Sequence, residues 1–99
     1  MQLGLSNNKA IVTGGSRGIG HAITNTLIQE GVSVATCARG KSALDEALAQ
    51  WQEQGATVTG QSVDVSDPDA YRTWFESAVE QLGGLDVFVS NVTSMNEYQ

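Results

Sequence analysis

Gly14, Gly18 and Gly20 stand at G-x-x-x-G-x-G spacing within Thr13-Gly-Gly-Ser-Arg-Gly-Ile-Gly20, between an apolar run and a stretch of helical periodicity. Glycine permits positive φ and carries no Cβ, so such a loop can turn sharply and let a bulky anion come close to its amides. Those amides open a helix, whose N-terminus offers unpaired N–H donors and the positive end of the macrodipole. Phosphate or pyrophosphate is the ligand that this arrangement suits. Two further polar residues fall at predicted strand ends, Arg39 and Asp64, and Asn91 closes the last predicted strand. A guanidinium there can pair with a phosphate through charge-assisted hydrogen bonds, and a carboxylate can accept from an amine. The spacing differs from G-x-G-x-x-G. It differs from a Walker A loop too, since His21-Ala22 and not Lys-Ser or Lys-Thr follows the last glycine.

The elements that must position these residues follow from periodicity. Lys9 to Thr13 reads as a strand whose Ala10, Ile11 and Val12 suit burial on both faces. The pattern Ile19, Ala22, Ile23, Thr26, Leu27 predicts a helix from about Arg17 to Glu30, ended by Gly31. Ser33 to Ala38 is a second strand, small and apolar almost throughout. A second helix is predicted to begin at Ser42, with Asp45 reaching back to complete a capping box. Leu44, Ala47, Leu48 and Trp51 form its inner stripe and Gly55 ends it. Thr57 to Val65 reads as a third strand at a sheet edge, ending in Asp64-Val65. Asp67 as N-cap and Pro68 at the first helical position open a third helix, with Tyr71, Trp74, Phe75, Ala78, Val79 and Leu82 on one face and Gly83-Gly84 at its close. Leu85 to Asn91 is the fourth strand, and Val92 to Gln99 shows no assignable pattern.

TGGSRGIG resembles the TGxxxGxG cofactor loop of the short-chain dehydrogenase/reductase family, and the resemblance runs from Lys9 to about Thr93. It implies an α/β fold: a Rossmann-type parallel sheet of four strands in the order 3-2-1-4 with three helices, truncated relative to the full family fold. Ligands of such sheets bind at the switch point beside the carboxyl ends of the strands. Carried onto this sequence, the family's cofactor-binding positions are Gly14, Ser16, Arg17, Gly18, Ile19, Gly20, Arg39, Asp64, Val65 and Asn91. Arg39 replaces the acid that would bind a ribose 2′-hydroxyl, and with Arg17 it favours the 2′-phosphate of NADP over NAD. Asp64-Val65 resembles the pair beside the adenine, although a strand-end aspartate can equally cap the next helix. Ser90-Asn91-Val92-Thr93 stands where the family has Asn-Asn-Ala-Gly, keeping only the second Asn. His21 reads as a helix-surface or supporting residue. In complete members the catalytic Ser and the Tyr-x-x-x-Lys pair come after the point reached by Gln99, so no catalytic residue is assigned; neither Tyr71 nor Tyr98 has a lysine four residues on.

Composition narrows the remaining classes. Five Lys+Arg against eleven Asp+Glu give a formal net charge of −6, which argues against nucleic acid or an anionic membrane as partner. A single cysteine, Cys37, supports neither a disulfide framework nor a thiolate metal site, and it reads as a small buried strand residue. The opening MQLGLSNNKA lacks the pattern of a secretory signal, so a cytoplasmic location is expected. Two functions stay open: the NADP(H)-binding half of an oxidoreductase, or a non-catalytic nucleotide-binding or assembly module. Helix three alone on one sheet face, and an unpaired fourth strand, further predict homo-oligomers through the helix-three face or the strand-four edge.

Overall fold

The computed structural model describes residues 8–14 and 18–90. Its elements alternate: β1 (Lys9–Thr13), α1 (Gly18–Gln29), β2 (Ser33–Ala38), α2 (Lys41–Glu53), β3 (Val58–Ser62), α3 (Pro68–Leu82) and β4 (Val87–Val89). The four strands form one parallel sheet in the order β3-β2-β1-β4. Parallel neighbours require crossovers, and each crossover here is a helix. The β1–β4 seam is pinned at its start by a reciprocal pair, in which Lys9 N–H donates to the Asp86 carboxylate and Asp86 N–H to the Lys9 carbonyl, both at 2.8 Å.

Because successive strand residues point to opposite faces, β1 feeds two cores. Ala10 and Val12, with Val34 and Val58, pack under α1 and α2 against Ala47 and Trp51. Ile11, with Ala35 and Cys37, packs under α3 against Trp74 and Ala78. Gly60 lets α2 lie close on β3: a Cβ there would sit 3.0 Å from Leu48 Cδ1 and 3.1 Å from Leu44 Cδ1. Polar groups inside the sheet are matched as burial demands, with the Thr36 hydroxyl donating to the Val12 carbonyl at 2.6 Å.

Several boundaries and faces differ from the sequence reading. The inward face of α1 is Gly20, Ile23, Thr24, Leu27 and Ile28, whereas Ile19, Ala22 and Thr26 face outward, Ile19 with 70% of its surface exposed. Residue type misled there: Gly20 and Thr24 are not apolar, but their small size brings the helix against the sheet. Thr24 satisfies its buried hydroxyl on the Gly20 carbonyl at 2.8 Å. The helix also ends at Gln29, one residue early.

The capping box at Ser42 is absent. α2 opens earlier, Gly40 is its N-cap without a side-chain bond, and the Gly40 carbonyl accepts from Leu44 N–H at 3.1 Å. Ser42 therefore lies inside the first turn, and Asp45 pairs with Lys41 at 2.9 Å instead. By contrast, Asp67 caps α3 as expected, accepting from Asp69 N–H and Ala70 N–H at 3.1 and 3.2 Å. Gly83 ends that helix in the left-handed conformation. β3 and β4 are shorter than expected, because beyond a last Val63 N–H bond to the Ala38 carbonyl at 3.0 Å the chain turns toward α3, and β4 pairs only over Val87 to Val89.

Candidate functional site

The carboxyl ends of β1, β2 and β3 carry the residues that the sequence singled out. Beyond Thr13, Gly14 takes φ 68°, and its N–H donates to the Cys37 carbonyl at 2.8 Å, extending the β1–β2 ladder into the glycine loop. Gly18 re-enters the described chain at φ 56° and opens α1. Both values lie in the region that a β-branched residue enters only with strain. The first turn of α1 contains no acidic side chain, so nothing there opposes an incoming anion. Gly20 is buried, which lets the helix start close to the sheet. Ile19 projects outward from this end of α1 and lines a shallow apolar groove of about 300 Å³ with Ala22, Ile23, Thr26 and Leu27. Ser16, Arg17 and Asn91 lie outside the described residues.

Arg39 and Asp64 are brought together although 25 residues separate them. The last rung of the β2–β3 ladder joins Ala38 to Ser62, so Arg39 leaves β2 one residue beyond it and Asp64 follows β3 two residues beyond it. Arg39 Nη2 donates to Asp64 Oδ2 at 3.2 Å, with the side chains 80% and 47% exposed. Asp64 is held from its other oxygen: Oδ1 accepts from Ser66 N–H at 3.0 Å and from the Ser66 hydroxyl at 2.6 Å. These bonds favour the ionised carboxyl and hold it below the usual carboxylate range, the Ser66 hydroxyl contributing most and the Ser66 amide and Arg39 less. The Arg39 backbone is fixed as well, since its carbonyl accepts from the Ser62 hydroxyl at 3.0 Å.

Of the remaining expected residues, Val65 packs with the cluster beneath α3. His21 is half-buried, its ring 4.9 Å from that of Trp51 and tilted by 32°, so it braces α1 against α2 and is turned to packing. Cys37 is buried, and burial pushes its thiol up despite the Gly14 amide. Sequence reasoning missed Ser62 and Ser66. The Asp-x-Ser order at Asp64 to Ser66 is a recognisable Asx-turn signal, whereas the Ser62 contact depends on strand pairing. Among the described residues no group of three His, Cys, Asp or Glu side chains could hold a metal ion, and no helix is long and apolar enough to cross a membrane.

Comparison with known proteins gives this geometry a context. Residues 8–99 match the family model for short chain dehydrogenases. A tropinone reductase homolog of Datura stramonium is 41% identical over 83 residues, covering 83% of this chain and 31% of the relative. Among solved structures, L-sorbose reductase from Gluconobacter frateurii, complexed with NADPH and L-sorbose, superposes with a TM-score of 0.87 at 35% identity, covering 95% of this chain and 36% of that one. The NADPH-bound short chain oxidoreductase of Pseudomonas aeruginosa PAO1 gives 0.86 at 35% identity, covering 91% and 36%. The chain thus spans about a third of the length of the relatives it matches.

Proposed function

The chain belongs to the short-chain dehydrogenase family, and from that premise we propose that it forms the part of an NADP(H)-dependent oxidoreductase that binds the adenosine and phosphate portion of the cofactor. The observation that carries the reading is the convergence of Gly14, Gly18 and Arg39 at the carboxyl ends of adjacent strands β1 and β2. A Cβ-free backbone at positive φ and an acid-free helix start offer room and dipole for a diphosphate. Arg39 offers a guanidinium where a 2′-phosphate would lie, and no acidic residue stands in its place to bind an unphosphorylated ribose. Ser16, Arg17 and Asn91 join these on family resemblance, and Val65 would lie beside the adenine. The residues present therefore fit the cofactor. Relatives with NADPH in their solved structures support the same choice.

Bound NADP(H) supplies hydride chemistry. This chain's own residues bind and orient the molecule, and the proton-transferring residues of the reaction are assigned to none of them. The substrate class is left to the rest of the family fold.

Titration calorimetry of the chain with NADP and NAD tests the reading. NADP is expected to bind more tightly, and Arg39→Ala to remove the difference, since a hydrogen bond to a charged group contributes about 1.5–3 kcal/mol. Gly18→Val should abolish binding of both. Equal affinity of the unaltered chain for the two dinucleotides would overturn the NADP assignment.

A further inference from the structure

The cation offered to the 2′-phosphate is already paired within the chain. Arg39 Nη2 lies 3.2 Å from Asp64 Oδ2, and Asp64 is itself tethered through Oδ1 by both Ser66 donors, so the carboxylate is presented to Arg39 in a set position. Any 2′-phosphate must therefore share or displace a carboxylate that the fold supplies. From this we propose that Asp64 is a specificity-determining residue: an internal counter-anion for Arg39 that weakens the site's preference for a 2′-phosphorylated nucleotide. The inference rests on the proposed NADP(H) reading and adds a residue that opposes it.

The direction follows from charge. A carboxylate beside a phosphate repels it and at the same time neutralises the guanidinium that attracts it, so both effects disfavour the phosphorylated ligand. Orientation of Arg39 by Asp64 works the other way, but it is the smaller term for an ion pair as open to water as this one. Ser66 makes the device persistent, because it fixes the carboxylate independently of Arg39. Ser62 does the same for the Arg39 backbone. With both chain ends of the pair anchored, only the long Arg39 side chain is left to move.

Asp64→Asn tests the proposal cleanly. The amide oxygen still accepts from Ser66, so the turn into α3 is preserved while the charge is lost. Titration calorimetry of the whole chain with 2′,5′-ADP and with 5′-AMP gives a ratio of affinities in which any contact to the adenine cancels. Asp64→Asn is expected to raise that ratio about fivefold, the upper end for an exposed ion pair. In an Arg39→Ala background the same substitution should raise it by clearly less, since the carboxylate then has no cation to neutralise and only its direct repulsion of the phosphate is relieved. An unchanged ratio in Asp64→Asn overturns the proposal, as does a rise of the same size with and without Arg39. If neither nucleotide binds the unaltered chain or Asp64→Asn, the nucleotide-binding reading falls and this inference with it. Binding of both with the wrong ratio overturns this inference alone.

Discussion

Beneath α1 and α2 the sheet buries Val12, Val34 and Val58 against Ala47 and Trp51, 5% and 1% exposed, whereas beneath α3 the cover is incomplete. There Trp74 and Ala78 are buried, but Tyr71, Phe75, Val79 and Leu82 are half-buried, and Phe88 stands 47% exposed with its ring edge-on to Phe75 at 5.3 Å. The strands feeding the two faces are the same strands, with Ile11 beside Val12. What differs is the number of crossovers. Right-handed connections from β1 to β2 to β3 put two helices on one side, and the return from β3 to β4 puts one on the other. Aromatic residues on α3 compensate for the missing neighbour by width, and at β4 that width runs out.

The sharpest way to break this contrast is to remove one tryptophan from each face. Trp51→Ala should cost about 3–5 kcal/mol, since it leaves a cavity enclosed by two helices and the sheet. Trp74→Ala should cost less, because its hole lies under a single helix and opens to water. Urea denaturation of both variants measures the difference, and equal losses would mean that the two faces are equally closed.

Next in size is association. We expect the chain to form homo-oligomers through the α3 face or the β4 edge, and burying one Phe contributes about 1.5–3 kcal/mol. Phe88→Asp should then weaken self-association by about tenfold or more in sedimentation equilibrium. A concentration-independent monomer for the unaltered chain would remove this expectation.

Smaller effects come from the helix starts. α3 is capped by Asp67 and α2 only by Gly40, so Asp67→Ala should lower stability by about 1 kcal/mol. Gly40→Ser should raise it by a few tenths, because φ there is −86° and a Cβ would meet nothing within 4 Å. Thermal melts of the pair test whether the better-covered face carries the less well capped helix.

The least effect belongs to the turn that delivers α3. Asp64 is ionised more readily folded than unfolded, so its bonds stabilise the chain above the ordinary carboxylate value of about 3.9. That contribution is lost as pH falls through the lower, folded value. A carboxyl titration followed by NMR should place the Asp64 midpoint below the usual range, and Ser66→Ala should move it up. No upward movement would show that the Ser66 hydroxyl does not hold the carboxylate.

How far the sequence alone determined this protein can be judged residue by residue. Alternation of apolar strands with periodic helices was enough for a parallel sheet with right-handed crossovers, while the order β3-β2-β1-β4 came with the resemblance of the glycine loop to a known family. The positive φ of Gly14 and Gly18 was legible too, as was the Asp67-Pro68 start of α3, since such features depend on residues adjacent in the chain. Which side of α1 faces inward was not legible, because Gly20 and Thr24 are chosen by the distance between helix and sheet and not by hydrophobicity. Nor could Ser42 be told from Gly40 as the start of α2, for either residue type can occupy an N-cap. The pairing of Arg39 with Asp64 belongs wholly to the tertiary structure: it exists because the β2–β3 register ends with Ala38 opposite Ser62, and a shift of two residues would carry the two charges apart.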